Sequence, residues 1–127
     1  MKISAFDPVI VSPDASSLIK LFEALGFETH HSPTNAIDGA EVTSTRMENA
    51  EGFHVDVVST TTPRERDEML IRMNVDDFDE AYALLTAQGF KNVKGDETID
   101  LKSTKAVTME APTGFRISIV KHIKDPA

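Results

Sequence analysis

The sequence predicts an α+β domain that consists of two copies of a βαβββ module. Two repeats carry this prediction. "MENAEGFHVDVV" (47–58) recurs as "MEAPTGFRISIV" (109–120), and "LFEALGF" (21–27) recurs as "LLTAQGF" (84–90). At one constant spacing the first pair has five identities, which are Met47/Met109, Glu48/Glu110, Gly52/Gly114, Phe53/Phe115 and Val58/Val120. Two matches in the same order and at nearly the same spacing are typical of a duplicated supersecondary unit.

The first module, about 1–60, begins with a Val- and Ile-rich strand over residues 3–11. Asp14 or Ser12 can cap a helix that runs to about Leu25 and stops at Gly26. The apolar face of this helix is predicted to be Leu18, Leu21, Phe22 and Leu25. Three more strands follow in 27–32, 41–48 and 53–59, and "PTNAIDG" (33–39) is predicted to be a loop.

The second module, about 67–123, follows a polar linker, "TTTPRERDE" (60–68). It repeats the order, with a strand over 69–75 and a helix that Asp76 or Asp77 caps and Gly89 ends. Strands are predicted at 90–93, 105–110 and 115–121, with a polar loop between the first two. The predicted apolar face of this helix is Phe78, Ala81, Leu84 and Leu85.

Length and composition limit the class of protein. The chain has 127 residues, a formal net charge of −8 and no cysteine. The lack of cysteine excludes disulfides and thiolate metal sites and fits a cytoplasmic protein. An acidic surface repels phosphate backbones, so nucleic acid is not an expected partner. No apolar run reaches the roughly 18–20 residues of a membrane span, and no signal-peptide pattern is present, so no membrane association is expected.

Three stretches, "VSPDASSLIKLFEALGF" (11–27), "VDDFDEAYALLTAQGF" (75–90) and "APTGFRISIV" (111–120), carry a resemblance to a known family. With their duplicated order, the chain resembles the vicinal oxygen chelate superfamily, which includes glyoxalase I, bleomycin-resistance proteins and extradiol dioxygenases. The resemblance implies one domain over 1–127, in which the modules form a curled mixed sheet around a cup with the helices outside. It also implies a homodimer.

Strand parity assigns side chains to the two faces of the sheet, because alternate residues point to opposite sides. Val55, Val57, Ile117 and Ile119 are uniformly apolar at alternate positions and should pack under the helices, as should Phe53, Phe115, Met69 and Met73. On the first strand, Val9 and Val11 are expected to pack, and Phe6, Pro8 and Ile10 to face the cup. The candidate ligand-binding residues in the cup are then His54, Asp56, Arg72, Asn74, Arg116 and Ser118.

Two interpretations of these polar residues remain open. The arginines can bind a carboxylate or phosphate group of a ligand, whereas the acidic surface favours a cationic ligand. Alternatively, Arg72 or Arg116 forms an internal ion pair with Asp56 and no ligand binds. His30 and His31 are interpreted as exposed surface residues.

The resemblance also implies where a metal would bind. The four ligand positions of metal-dependent members fall at Phe6 (Asp7 or Pro8 if the register slips), Asp56, Leu70 and Ser118. Only Asp56 is a good ligand, and a catalytic divalent ion normally needs about three protein ligands. We therefore expect neither metal nor other cofactor, and consider a weak ion site at His54 and Asp56 the lesser alternative.

The predicted function is metal-independent binding of a small molecule, in the manner of glyoxalase/bleomycin-resistance proteins that sequester a drug or metabolite. The only Tyr, Tyr82, is placed on the second helix and Trp is absent, which disfavours a ligand stacked on aromatic side chains. The alternative is a lyase, isomerase or other enzyme acting in the cup, with His54 as a general base tuned by Asp56. A third hypothesis is a structural or regulatory protein whose cup is filled by its own side chains.

Overall fold

The computed structural model describes residues 1–123, so the last four residues of the predicted domain 1–127 lie outside the described part. Within 1–123 there are ten strands and two helices. Their bounds are β1 Ile3–Val11, α1 Ala15–Ala24, β2 Glu28–His31, β3 Thr34–Ile37, β4 Ala40–Glu48, β5 His54–Thr60, β6 Glu68–Val75, α2 Phe78–Ala87, β7 Lys91–Asn92, β8 Ile99–Leu101, β9 Thr104–Glu110 and β10 Arg116–His122. Neither helix is long and apolar enough to cross a bilayer.

The chain divides into two compact units, which correspond to the two repeats. The N-terminal unit is Asp7–Met69, and the C-terminal unit consists of Met1–Phe6 and the chain from Leu70 onward. Each unit contains one helix and a mixed sheet. The α+β class and the two βαβββ modules are thereby confirmed, whereas the single domain and the cup stay predictions.

In the N-terminal unit the strands lie in the order β2-β4-β5-β1, with β3 also paired to β4. Strand β1 runs parallel to β5, and the other pairs are antiparallel. Helix α1 packs on one face of this sheet. The core between them consists of buried Met47, Val55 and Val57, with Ile10, Ala15, Leu18, Ile19, Phe22 and Phe27 packed against them.

Of the two predicted cap residues of helix α1, Asp14 and Ser12, the structure has Asp14 as the cap. The Asp14 carboxylate accepts hydrogen bonds from the Ser17 backbone N–H at 3.3 Å and from the Ser17 hydroxyl at 2.6 Å. The predicted apolar face was partly wrong, because Leu21 and Leu25 are exposed. Residues 15, 18, 19 and 22 follow the spacing of one helical stripe, which places Leu21 on a neighbouring side of the helix. Leu25 follows the last helical residue, Ala24, as the C-cap.

In the C-terminal unit the order is β6-β10-β9-β7, with β8 also paired to β9. Strand β6 runs parallel to β10, and β10 runs antiparallel to β9. Helix α2 begins after Asp77, whose carboxylate accepts from the Glu80 backbone N–H at 3.0 Å. Its core consists of Met73, Val75, Phe78, Ala81, Val107, Met109 and Ile119, with Tyr82, Leu85, Phe90 and Ile117 packed around them. Leu84, expected on this face, is exposed.

Two segments that were predicted to be loops contain short strands. Strand β3 pairs with β4 through a two-residue turn, in which Asp38 and Gly39 both have positive φ, at 51° and 79°. Asp-Gly is a favoured pair for this tight hairpin turn, and the pairing satisfies backbone groups of 34–37. Strand β8 also forms a hairpin with β9, across Lys102 and Ser103.

Three large apolar residues that were expected to pack are exposed instead. Phe53 is 68% exposed, Met69 is 70% exposed and Phe115 is 47% exposed, with an edge-on contact to Phe90 at 6.3 Å between ring centroids. Phe53 and Phe115 each come one residue before a strand begins, and Met69 is the second residue of β6. These three residues therefore lie at strand ends, outside the part of the sheet that the helix covers. Their side chains are exposed to solvent for that reason.

Candidate functional site

The face of the N-terminal sheet opposite α1 carries a row of charged side chains. Asp56 lies opposite Arg46 on β4, and His54 lies opposite Glu48. On the other side of β5, Val9 of β1 lies opposite Asp56. Paired residues on neighbouring strands point to the same face. The helix-free face of this unit is therefore a charged surface built from β4, β5 and β1.

The parity expected for β1 was wrong. Val9 shares the face of Asp56, so Asp7 does too, whereas Ile10 packs into the core under α1. Strand β1 runs to Val11, and the backbone N–H of Ser12 still donates to the carbonyl of Val58 at 2.9 Å. Ser12 and Pro13 thus connect β1 to Asp14, the cap of α1. The family position on this strand is consequently Asp7, not Phe6.

Asp56 is 2% exposed and Asp7 is 5% exposed, so this face holds two buried carboxyl groups. The Nε of Arg46 lies 3.6 Å from Oδ1 of Asp56. Arg46, which was not among the six predicted site residues, is therefore a cation that the N-terminal unit supplies to Asp56. This contact is one internal ion pair of Asp56. The expected pairing of Arg72 or Arg116 with Asp56 stays a prediction.

His54 contacts a carboxylate, but not the expected one. Its Nε2 lies 2.9 Å from Oε1 of Glu48, and Nδ1 of His30 lies 3.6 Å from the other oxygen of the same carboxylate. The three side chains come from β5, β4 and β2. Glu48 and His30 were not predicted as site residues, because both contacts depend on cross-strand register. The turn at 49–53 sets the register that brings Glu48 to His54. The pairing of β2 with β4, which is irregular between Thr29 and His31, brings His30 to Glu48.

The helix-free face of the C-terminal unit carries the other four candidates. Ser118 of β10 lies opposite Arg72 of β6 on one side and opposite Thr108 of β9 on the other. These three residues form a polar row across neighbouring strands. Arg116 Nε lies 3.1 Å from Oε1 of Glu110. Thr108 and Glu110 were not predicted as site residues, because the register between β9 and β10 is set only by pairing.

Asn74 is the most buried of these four, with 6% exposure. Its Nδ2 lies 3.1 Å from Nε2 of His122, and its Oδ1 is buried without a hydrogen-bond partner in the described part of the chain. Val120 of β10 lies opposite Asn74 of β6, so the side chain of Asn74 lies on the same face of the sheet as that of Ser118. His122 was missed, although it continues the alternation of Arg116, Ser118 and Val120.

The six predicted residues thus fall into two groups. His54 and Asp56 lie together on the helix-free face of the N-terminal unit. Arg72, Asn74, Arg116 and Ser118 lie together on that of the C-terminal unit. Their use of one common ligand stays a prediction.

The donor atoms do not fit the metal that the superfamily implies. With the corrected β1 parity, the four family positions hold Asp7, Asp56, Leu70 and Ser118. Two carboxylates, a leucine and a neutral serine fall short of the roughly three good ligands of a catalytic site. Over residues 1–123, no group of three or more His, Asp and Glu side chains is placed to hold a metal ion.

The paired βαβββ modules, each with a helix on one face of its sheet, define the fold of the vicinal oxygen chelate, or glyoxalase-type, superfamily. Methylmalonyl-CoA epimerase from Mycobacterium tuberculosis has this fold with a TM-score of 0.74 at 14% identity, over 96% of this chain and 90% of that one. A Streptomyces coelicolor methylmalonyl-CoA epimerase variant in complex with 2-nitronate-propionyl-CoA gives 0.63 at 15% identity, over 97% and 100%.

A mutant of 4-hydroxymandelate synthase from Streptomyces coelicolor gives a TM-score of 0.62 at 10% identity, over 99% of this chain. The present chain spans half the length of that synthase. No family model matches the sequence, and no curated protein does. These similarities establish the fold.

Proposed function

We propose that this is a cytoplasmic, metal-independent protein of the glyoxalase/bleomycin-resistance type, which binds and sequesters a small metabolite or drug. The observation that carries the proposal is the buried amide of Asn74, whose Oδ1 has no partner over 1–123 and which lies beside the polar row Arg72–Ser118–Thr108. A buried acceptor without a donor is costly, so it is rarely kept without a use. A bound molecule that donates to it removes that cost.

A metal is not needed for this role. Hydroxyl, amide and guanidinium groups on one sheet face orient a ligand by hydrogen bonds, and neighbouring Val120 and Leu70 supply apolar contacts. Solved proteins of the same fold include one with a bound CoA derivative, which supports a small-molecule ligand. The net charge of −8 supports a cationic ligand and the two arginines an anionic one, so both classes belong in the first screen.

The test is a thermal-shift screen of the intact chain against anionic metabolites and cationic drugs, each with and without EDTA. We expect at least one class to raise the melting temperature equally in both conditions. A shift that EDTA abolishes would refute metal independence. The absence of any shift across both classes would favour the third hypothesis, a face occupied by the protein's own side chains.

A second candidate function is an enzyme, and the contact between His54 and Glu48 favours it. A carboxylate bonded to one ring nitrogen orients the imidazole and leaves the other nitrogen available as a base. Such a base suits a lyase or isomerase that removes a proton next to a carbonyl. The test is deuterium exchange at the carbon next to the carbonyl of methylmalonyl-CoA, in D2O. His54→Ala should abolish it and His31→Ala should not; exchange that survives His54→Ala would exclude this base.

We also propose a homodimer. The exposed side chains of Phe53, Leu25 and Met69 are large and apolar, and a second copy of the chain can cover such residues.

A further inference from the structure

We propose that the ligand of the C-terminal unit is a small hydroxycarboxylate. Its carboxylate binds the row formed by Arg72, Ser118 and Thr108, and its hydroxyl donates a hydrogen bond to Oδ1 of Asn74. This inference rests on the proposed function and narrows it to one class of ligand. It follows from two neighbouring rows of residues on the helix-free face of the sheet.

The first row is the anion-binding part of the site. Arg72, Ser118 and Thr108 lie opposite one another on β6, β10 and β9, so their Cα atoms are roughly 5 Å apart along the row. A guanidinium has five N–H donors in a planar fork, and two hydroxyl groups extend the row. A carboxylate accepts about four hydrogen bonds on its two oxygens. The row therefore offers a carboxylate one guanidinium and two hydroxyl groups as donors.

The second row requires a donor from the ligand. Asn74 lies two residues beyond Arg72 on the same face, roughly 7 Å along β6. His122 already engages the amide nitrogen, so the remaining polar atom is the carbonyl oxygen, which can only accept. A group that reaches it from a bound molecule must carry O–H or N–H. The spacing of the rows suits a donor within a few bonds of the carboxylate.

The rest of the second row is apolar. Val120 lies opposite Asn74, and Ala106 lies opposite Val120. This surface fits a short aliphatic chain attached to the carbon that carries the hydroxyl. A hydroxyl is favoured over an ammonium as the donor, because an ammonium would be placed a few ångströms from the Arg72 guanidinium and repelled by it.

Three molecules of nearly equal shape test the inference on the intact chain: 2-hydroxyisocaproate, 4-methylpentanoate and leucine. They differ only in having a hydroxyl, hydrogen or ammonium next to the carboxylate. NMR titration gives the affinity of each and locates the binding site. We expect 2-hydroxyisocaproate to bind about tenfold or more tightly than 4-methylpentanoate, because only the hydroxyl satisfies the Asn74 oxygen. Equal affinities, or leucine binding as tightly as the hydroxy acid, would overturn the inference.

Two variants separate the rows. Asn74→Leu should remove the preference, so that 2-hydroxyisocaproate and 4-methylpentanoate bind with about equal affinity. Arg72→Gln should lower the affinity for both acids by about tenfold and leave the ratio of the two affinities unchanged. The control, Asn35→Leu on the exposed β3, should change neither value. The ligand comparison on the unaltered chain does not depend on whether a variant folds.

The outcome also separates this inference from the function on which it rests. If none of the three acids binds but another compound raises the melting temperature in the wider screen, the ligand class is wrong and small-molecule binding stands. If nothing binds in either experiment, both proposals fail. Chemical-shift changes confined to β4 and β5 would likewise refute the placement on the C-terminal unit.

Discussion

The Nε atom of Arg46 lies 3.6 Å from Oδ1 of Asp56, and the Asp56 carboxylate is 2% exposed. A carboxylate at that depth depends on the groups around it, since an uncompensated buried charge is strongly destabilising. Arg46 itself is about one-third exposed, which screens its contribution.

We therefore predict that Arg46→Ala lowers the free energy of unfolding by about 2 kcal/mol, below the roughly 3–5 kcal/mol that follows the disruption of a fully buried pair. Urea denaturation measures the change. Arg46→Lys should lose less, because it keeps the charge. Addition of Asp56→Leu to Arg46→Ala should cost less than the sum of the single changes. Strictly additive losses would show that the two residues do not interact.

A second prediction concerns acid stability and the cap of α1. The hydrogen bonds from Ser17, the side chain first and then the backbone, lower the pKa of Asp14 below its ordinary value of 3.8. A carboxyl group whose pKa is lower in the folded state than in the unfolded state stabilises the fold fully at pH values above its unfolded-state pKa. That contribution is lost as the pH falls through its folded-state pKa. The difference in melting temperature between the unaltered chain and Asp14→Ala should thus be constant above about pH 5 and shrink below pH 3.8.

Asp14→Ser is the matched control for this experiment, because serine also caps a helix but does not titrate in this range. The difference in melting temperature between Asp14→Ser and Asp14→Ala should therefore be nearly independent of pH. A difference between the unaltered chain and Asp14→Ala that grows on acidification would contradict the assigned sign.

A third prediction concerns the cap of α2. Asp77→Ala should lower the free energy of unfolding by about 1 kcal/mol, because the Glu80 backbone N–H then has no acceptor in the first turn. Asp79→Ala removes an acidic residue of the same turn that is not the cap, so a smaller loss is expected. Chemical denaturation of both variants checks the order. Equal losses would mean that charge at the helix start, not the capping bond, is what stabilises α2.

A fourth prediction concerns self-association. Phe53 is 68% exposed, so its replacement changes little within one chain but removes apolar surface from an interface that covers it. Phe53→Ser should shift sedimentation from twice the mass of the chain toward the mass of a single chain. Val93→Ser, at a less exposed apolar residue, is the control and should remain dimeric. A single-chain mass for the unaltered protein would refute the dimer.

The register of the sheets shows why sequence reasoning succeeded for some of the site and failed elsewhere. Polar and apolar residues alternate over 54–57 on β5 and over 116–119 on β10, so the faces of Asp56 and Ser118 were predictable. On β1, "FDPVIV" is apolar at both parities, so alternation could not choose between Ile10 and Val9. The pairing of Val9 with Asp56 made that choice.

The α+β class, the duplicated module, two candidates for each helix cap and the face of most strands follow from the sequence, because turns, caps and alternation are local. The partners of the charged groups depended on tertiary structure. That Glu48 meets His54, that Arg46 meets Asp56 and that His122 meets Asn74 all depend on which residue lies opposite which across two strands. A shift of one residue in register exchanges every such pair, and only the folded backbone determines the register.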